Sequence, residues 1–308
     1  MWVSWRYGRL TAGGGSPYSG GPSSPRLPPS RVARSVPVSP YLAELLAAAP
    51  PAEPRPLGQR LTVASYNVHR WAGVRGGRAF YPDRSFTVIE ELGADVLALQ
   101  EVLRPTGGPD PLREVAEGLG YHLAFVVTRL HRRGELGNAV LSRWPLAGAL
   151  AIDLSFGRLE RRAALAVRIR GDERALTVAA THLALVDRTR ARQVRALLGH
   201  PHLASGPAVL VGDMNAWRPT RASRELDSAF ETRHHNADWP PSYPAVRPVL
   251  ALDRLYARGA RVLSLEAHES PAARRASDHL PVVAELELPD GNGEPDIDLP
   301  EDGALEAE

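Results

Sequence analysis

The sequence predicts one α/β domain built as two packed sheets with helices outside, and three observations support that prediction. Apolar runs of strand length recur in both halves of the 308-residue chain, with helical stretches between them. The 44% apolar content is enough for a sizeable core. Five of the apolar runs end in an acid, an amide or an imidazole, so polar chemistry collects where strands stop.

Taken in order, residues 61–68 alternate as a strand does. Residues 85–92 suit a helix, 95–99 a buried strand and 112–119 a second helix. Short runs rich in Val, Ala and Leu over 121–127, 139–142, 149–154, 163–169 and 175–180 read as strands. Residues 187–198 form the clearest amphipathic helix, with Arg on one face and Val194, Leu197 and Leu198 on the other. A strand over 208–211, a helix over 221–228 and strands over 252–257, 262–267 and 282–286 complete the domain. No sequence repeat relates the two halves.

The flanks differ in composition. Residues 1–39 are dense in Gly, Ser, Pro and Arg and bury too little apolar surface to fold alone. Residues 41–49 suit one amphipathic turn or short helix, and Pro50, Pro51, Pro54 and Pro56 make a stiff, extended linker. The expected organisation is a disordered extension and linker over 1–60, a folded domain over 61–288 and a disordered acidic tail over 289–308.

Composition excludes several chemistries. The chain has no Cys, which removes disulfides, Cys-based zinc sites and Cys nucleophiles and fits a reducing compartment. No run reaches the roughly 18 apolar residues that span a bilayer. Residues 1–34 lack the apolar stretch of a signal peptide, so a cytoplasmic location is expected. All 37 basic residues are Arg, so no single Arg is by itself strong evidence of phosphate binding. The net charge of +2 divides unevenly, with +5 over 1–60, −8 over 289–308 and +5 over the domain between. A mildly basic domain suits an anionic substrate.

The polar signals at the ends of the apolar runs are Asn67 in Ser65-Tyr66-Asn67-Val68, Gln100-Glu101, Thr181-His182-Leu183, Gly212-Asp213-Met214-Asn215 and Ser277-Asp278-His279. Phosphodiester cleavage needs a nucleophilic water, charge neutralisation on the phosphoryl oxygens and help for the leaving alkoxide. Carboxylates, amides and imidazoles converging from five strand ends would supply these. A hard divalent cation prefers carboxylate and water ligands, and Glu101 at the mouth of a sheet is the first choice. Asp213 and Asn215, two residues apart, both face one pocket if the chain there stays extended.

The order and context of these segments resemble the endonuclease/exonuclease/phosphatase superfamily of DNase I-like nucleases, abasic-site endonucleases, inositol phosphatases and sphingomyelinases, over roughly residues 61–288. The resemblance implies a four-layer α/β/β/α sandwich of two packed mixed sheets with outer helices. It implies that Mg²⁺ or Mn²⁺ is held by Glu101 and Asp278, with Asn67 on the metal or phosphate side. It assigns Asp213 to orienting or deprotonating the attacking water and Asn215 to a phosphoryl oxygen. His182 would donate to the phosphate, and His279 would act as a base or stabilise phosphoryl charge. Asp253, in Leu252-Asp253-Arg254, would orient His279. Glu160-Arg161-Arg162-Ala163 resembles a family element that places Arg162 near the phosphate, with Ala where the family has Gly. Asn138 would support the site from the start of a strand. The Gly-, Arg- and aromatic-rich loop over 71–83 would shape substrate access or simply pack. The Pro-rich segment over 239–248 reads as a rigid lid. His131, His234 and His235 have no motif partners.

The leading expectation is a metal-dependent phosphoesterase acting on diesters, monomeric, with a small-molecule, lipid-derived or nucleic-acid phosphoester as partner. A DNA or RNA endonuclease or exonuclease is the first alternative. The compact domain leaves little length for DNA-grasping insertions, which ranks DNA repair lower. A non-catalytic binding module on the same fold ranks lowest, because every major site residue is present.

Overall fold

The computed structural model describes residues 40–46, 56–157, 161–171, 174–230 and 239–290. The extension over 1–39, most of the proline linker, Glu160, His234, His235 and the acidic tail beyond 290 lie outside these residues. In chain order the first half supplies β1 (Tyr41–Leu46), β2 (Arg60–Asn67), α1 (Pro82–Leu92), β3 (Val96–Pro105), α2 (Pro111–Leu119), β4 (His122–His131) and β5 (Gly134–Ser142). The second supplies β6 (Leu146–Asp153), β7 (Ala163–Arg170), β8 (Ala175–His182), α3 (Asp187–Leu198), α4 (Pro201–Ala204), β9 (Ala208–Asp213) and α5 (Arg221–Ala229). It ends with β10 (Asp253–Arg258), β11 (Arg261–Ala267), α6 (Ala273–Ala276) and β12 (Val282–Glu287).

Strand side chains point alternately to opposite faces, and here both faces are apolar. Leu61 and Val63 of β2, with Val96 and Ala98 of β3, enter one buried cluster, while Ala64, Tyr66, Leu97 and Leu99 enter a second. Val178 of β8 and Val209 of β9 join the first cluster from the other side, and Ala179 and Leu210 form a third. The first cluster is therefore the interface between two sheets. Helices α1 and α2 cover the second cluster through Val88, Ile89, Leu112 and Val115. Helices α3 and α5 cover the third through Val194, Leu197 and Leu226. The result is the expected four-layer sandwich of two mixed sheets, with strand orders β1-β4-β5-β3-β2-β12-β11 and β10-β9-β8-β7-β6. Among the described residues no helix is long and apolar enough to cross a membrane.

Local chemistry sets the helix ends. Pro82 opens α1 and Gly93, in a left-handed conformation, closes it, so the helix starts before the Ser85 that periodicity suggested. Asp110 caps α2 through the Leu112 N–H at 3.2 Å. Thr220 and Ser223 form a reciprocal capping box at α5. The short helices α4 and α6 were not anticipated.

The expected helix over 41–49 is corrected: residues 41–46 are an edge strand, antiparallel to β4, with Tyr41 opposite Val127. Tyr41 packs against the second cluster and Leu42 against the first, the alternation of a strand. Tyr41 Oη donates to Glu135 at 2.8 Å, and Glu44 pairs with Arg104 and Arg113. These partners lie far along the chain, beyond the reach of local periodicity. The folded region therefore includes residues the sequence assigned to the linker.

Each sheet contains one parallel pair, β2 with β3 and β8 with β9, and the rest are antiparallel. At the end of β9, Gly212 lies opposite Thr181 with φ +146°, and a Cβ there would sit 1.9 Å from the Thr181 carbonyl oxygen. Only glycine tolerates both that conformation and that approach. Gly212→Ala should cost about 3 kcal/mol of stability or more, read as a lower thermal midpoint. An unchanged midpoint would contradict this strand pairing.

Candidate active site

The parallel pairs bring Asn67, at the end of β2, together with His182 and Asp213, at the ends of β8 and β9. Asn67 and Asp213 belong to different sheets, and Asn67 Nδ2 donates to Asp213 Oδ2 at 3.2 Å. The same oxygen lies 3.3 Å from His182 Nε2 and 3.8 Å from His279 Nε2. Asp213 Oδ1 accepts the Asn215 N–H at 2.9 Å. Burial raises the Asp213 pKa to about 7, with His279 pulling it down and Asp253 pushing it up.

His279 Nδ1 sits 2.7 Å from Asp253 Oδ2, which also accepts from Ser242 Oγ at 2.6 Å. Asp253 is fully buried, so its carboxylate fixes the ring and its tautomer. Burial acts to lower the His279 pKa, but the Asp253 and Asp213 charges outweigh it and raise the value to about 10. His279 is therefore an imidazolium at neutral pH, and the Tyr243 ring packs 4.9 Å from it. His182 behaves oppositely. Burial, helped by the Arg162, His279 and Arg129 charges, holds it well below the usual range and neutral.

Ser277 Oγ donates to the Asn67 carbonyl at 2.6 Å and accepts the His279 N–H at 3.3 Å, which fastens the last loop to β2. Beyond Asn67, His69, Arg70 and Trp71 are left-handed, with φ of 46°, 58° and 59°. The turn directs His69 Nδ1 to Asp278 Oδ1 at 3.1 Å and Arg70 Nε to Glu101 Oε2 at 3.5 Å. Buried Trp71 anchors it through Nε1 to the Leu103 carbonyl at 2.8 Å.

Glu101 requires a correction. It does not follow the end of a strand: β3 runs on to Pro105, and Glu101 lies at an irregularity in the β3–β5 register between Leu99 and Val102, with φ +52°. A bulge re-aims a side chain without ending the strand, and buried Val102 and Leu103 resume the apolar run. Asp213 and Asn215 share one cavity, but not through an extended chain: the φ of +50° at Asn215 turns the backbone, and Asn215 Nδ2 donates to the Leu183 carbonyl at 2.9 Å.

Eight of the ten sequence-derived residues line one cavity of about 430 Å³: Glu101, Asn138, Arg162, His182, Asp213, Asn215, Asp278 and His279. Asn67 and Asp253 stand behind the wall. Asn138 Nδ2 donates to the Ala163 carbonyl at 2.9 Å and so ties β5 to β7 in the other sheet. Sequence reasoning missed Arg70, Arg129, Trp217 and Tyr243, which also line the cavity. Ser242 and Tyr243 come from the Pro-rich segment read as a rigid lid, and they contact Asp253 and His279. Of the loop over 71–83, Trp71 packs into the core and several others line a separate hollow.

The donor set fits a hard divalent cation. Glu101 and Asp278 open on the cavity, their side chains each 24% exposed. Burial raises the Asp278 pKa, His279 and His69 pull it down, and the Glu101 charge adds to the rise. A cation relieves that repulsion between carboxylates. Asp213, Asp253 and His279 also bring ligand atoms within 4.8 Å of one another. Those atoms are buried and bonded to each other, whereas Glu101 and Asp278, though paired with Arg70 and His69, keep exposed surface on the cavity and are the better pair.

The chain matches the Endonuclease/Exonuclease/phosphatase family over residues 74–279. The protein belongs to this family. Members are generally hydrolases acting on phosphoesters, including phosphodiesterases, nucleases and phosphatases, and typically use a divalent metal. Relatives include the uncharacterized protein YbhP of Escherichia coli (strain K12), 30% identical over 245 residues, 73% of this chain and 96% of that protein. An endonuclease/exonuclease/phosphatase from Beutenbergia cavernae superposes with a TM-score of 0.59 at 25% identity, over 76% of this chain and 73% of its own. The human Nocturnin catalytic domain, solved with a bound sulfate anion, gives a TM-score of 0.59 at 21% identity, over 76% and 95% of the two chains. That last likeness shows the fold.

Two outcomes follow from these contacts. A carboxylate accepts a proton only when ionised, and Asp213 is ionised above its raised pKa. Activity should therefore climb with pH through about 7, not through the range near 4 of an ordinary carboxylate. A kcat/KM profile already flat at pH 5 would show that ionisation of Asp213 does not govern turnover. Asp253→Asn keeps the shape but takes away the charge that holds His279 protonated, and kcat should fall about 10²-fold or more. The His279 imidazole signal, followed by NMR, should titrate at lower pH in this variant.

Proposed function

We propose that this protein is a divalent-metal-dependent phosphoesterase that hydrolyses phosphodiesters. The observation that carries the reading is one cavity faced by Asp213 and His279, whose Oδ2 and Nε2 atoms lie 3.8 Å apart, and by the carboxylates of Glu101 and Asp278. Glu101 and Asp278 would hold Mg²⁺ or Mn²⁺, and Asn67, behind the wall, would fix Asp213 through its Nδ2. When bound, the ion supplies charge neutralisation on the phosphoryl oxygens and orients the substrate.

The chain's own residues do the rest. Ionised Asp213 accepts a proton from the attacking water, and a pKa near the working pH suits that task. The water oxygen bonds to phosphorus as the bond to the leaving alkoxide breaks. His279, held in place by Asp253, sets its imidazolium charge against the phosphoryl oxygens as charge develops on them, and the departing alkoxide takes its proton from solvent. Neutral His182, Asn215 and Arg162 line the wall where phosphoryl oxygens would lie, and fixed donors there need no reorganisation during reaction. Apolar Leu185, Trp217 and Tyr243 in the same wall offer contact to a second ester substituent, which a monoester lacks. The same fold holds sulfate in human Nocturnin and a single-strand DNA product in D. rerio TDP2, so it accommodates anionic oxygens.

The test is hydrolysis of a nitrophenyl diester and monoester, phospholipids, inositol phosphates, RNA and plasmid DNA, with and without metal. Chelation should abolish turnover and Mg²⁺ or Mn²⁺ should restore it. Glu101→Gln should raise the metal concentration for half-activation about 10–100-fold. Turnover that survives exhaustive chelation would overturn the metal assignment, and full activity in His279→Ala would overturn the mechanism.

A further inference from the structure

Single hydrophobic side chains on a surface need no explanation, but a gathering of them does. Among the described residues nine large hydrophobic side chains are exposed, and eight lie on segments around the cavity mouth. The segment after β2 carries Phe80 and Tyr81. The β4–β5 hairpin carries Leu130, beside cavity-lining Arg129. Leu185 and Val186 follow β8, and Trp217 follows β9. Val246 and Val249 precede β10, next to cavity-lining Leu250.

Topology places these segments at one edge of the sandwich. β4 is antiparallel to β5, β5 is antiparallel to β3, and β3 is parallel to β2, so β2 and β4 end on the same side. β8 and β9 end together and antiparallel β10 begins there. The Asn67–Asp213 hydrogen bond joins the two edges. Arg133 Nη1 donates to the Arg78 carbonyl at 3.3 Å, which links the first segment to the hairpin. Arg190 Nη1 donates to the Leu185 carbonyl at 3.1 Å, and its guanidinium lies 5.8 Å from the Trp217 ring.

The charge on these segments is mainly positive. Residues 69–81, 128–133, 183–186, 214–220 and 243–252 together contain eight Arg; five acids, Asp83, Glu135, Asp187, Asp213 and Asp253, border them, and Arg218 and Arg70 pair with Asp187 and Glu101. A second hollow of about 780 Å³ adjoins them, lined by Arg75, Arg84, Arg275 and Tyr81 among others, with no acid in its wall.

Apolar tips interleaved with arginines match the boundary between anionic headgroups and acyl chains, where the tips insert and the guanidinium groups stay with phosphates. A nucleic acid would use arginines and stacking aromatics, but Leu130, Leu185, Val186, Val246 and Val249 have no ring to stack on. We infer that this loop face docks on an anionic phospholipid surface and that the diester hydrolysed in the cavity belongs to an amphiphile in that surface. The second half of this inference rests on the proposed phosphoesterase activity, and the docking does not.

The experiment sediments the full chain with vesicles of phosphatidylglycerol and phosphatidylcholine, and with vesicles of phosphatidylcholine alone. A Leu130→Ser, Val246→Ser, Val249→Ser variant is run beside it, since these exposed side chains do not line the cavity. The native chain should bind anionic vesicles about tenfold more tightly than neutral ones. The variant should lose about tenfold or more of that binding, while its thermal midpoint and its rate on a soluble nitrophenyl diester stay unchanged. Equal binding by the variant, or no binding to either vesicle, would overturn the docking whatever the soluble rate. Vesicle binding without turnover of any phosphoester would leave the docking standing and overturn the activity. Tighter binding to single-stranded DNA than to vesicles, unaltered in the variant, would assign the face to nucleic acid.

Discussion

The Asp213 carboxylate is where the two sheets and the last loop of the chain are fastened together. It is buried and must find partners inside the protein, because an unsatisfied charge there would be costly. Asn67 reaches it from the seven-stranded sheet, His182 from the neighbouring strand and His279 from the final loop. The contacts that satisfy the carboxylate are the same contacts that bring Asp213, His182 and His279 to the wall of one cavity. Asn138 ties the sheets a second time through the Ala163 carbonyl. Stability and chemistry thus share one set of hydrogen bonds.

The backbone around this point is strained. Among the described residues, the five non-glycine positions with positive φ are His69, Arg70, Trp71, Glu101 and Asn215. Each belongs to the site or to the turn behind it. Such conformations cost about 1–3 kcal/mol apiece, and surrounding contacts must hold them. Buried Trp71 holds the first turn, the paired strands around Glu101 hold the second, and the Asp213 carboxylate bonded to the Asn215 N–H holds the third. The strain directs Arg70 and Glu101 into the cavity.

Much of this was legible in the sequence, and the remainder was hidden for definite reasons. The apolar runs marked most strands because both faces of each sheet are covered, and acids or imidazoles at 182, 213 and 279 stood out against them. Glu101 was found by its motif but misplaced, since a bulge leaves no mark in a pattern that simply resumes at Val102. Residues 41–46 were misread because their partners, Arg104, Arg113 and Glu135, lie more than fifty residues away. Ser242 and Tyr243 were hidden in a proline-rich stretch with no periodicity, and only packing on Asp253 and His279 shows their part. Arg70 and Arg129 could not be singled out in a chain whose every basic residue is Arg.

The position of β12 has a consequence for how the molecule comes into being. It is the last strand among the described residues, yet it pairs with β2, more than two hundred residues earlier, with Val282 opposite Ser65 and Glu287 opposite Arg60. The loop leading into it carries Ser277, Asp278 and His279. A chain growing on the ribosome therefore has an open sheet edge at β2 and an unfinished cavity until its final strand emerges. Contacts so distant in sequence form late and slowly. Premature termination anywhere before residue 279 would remove the imidazolium and leave that edge of β2 unpaired in the same stroke, so a truncated product would lack part of the cavity wall and be open to proteolysis together.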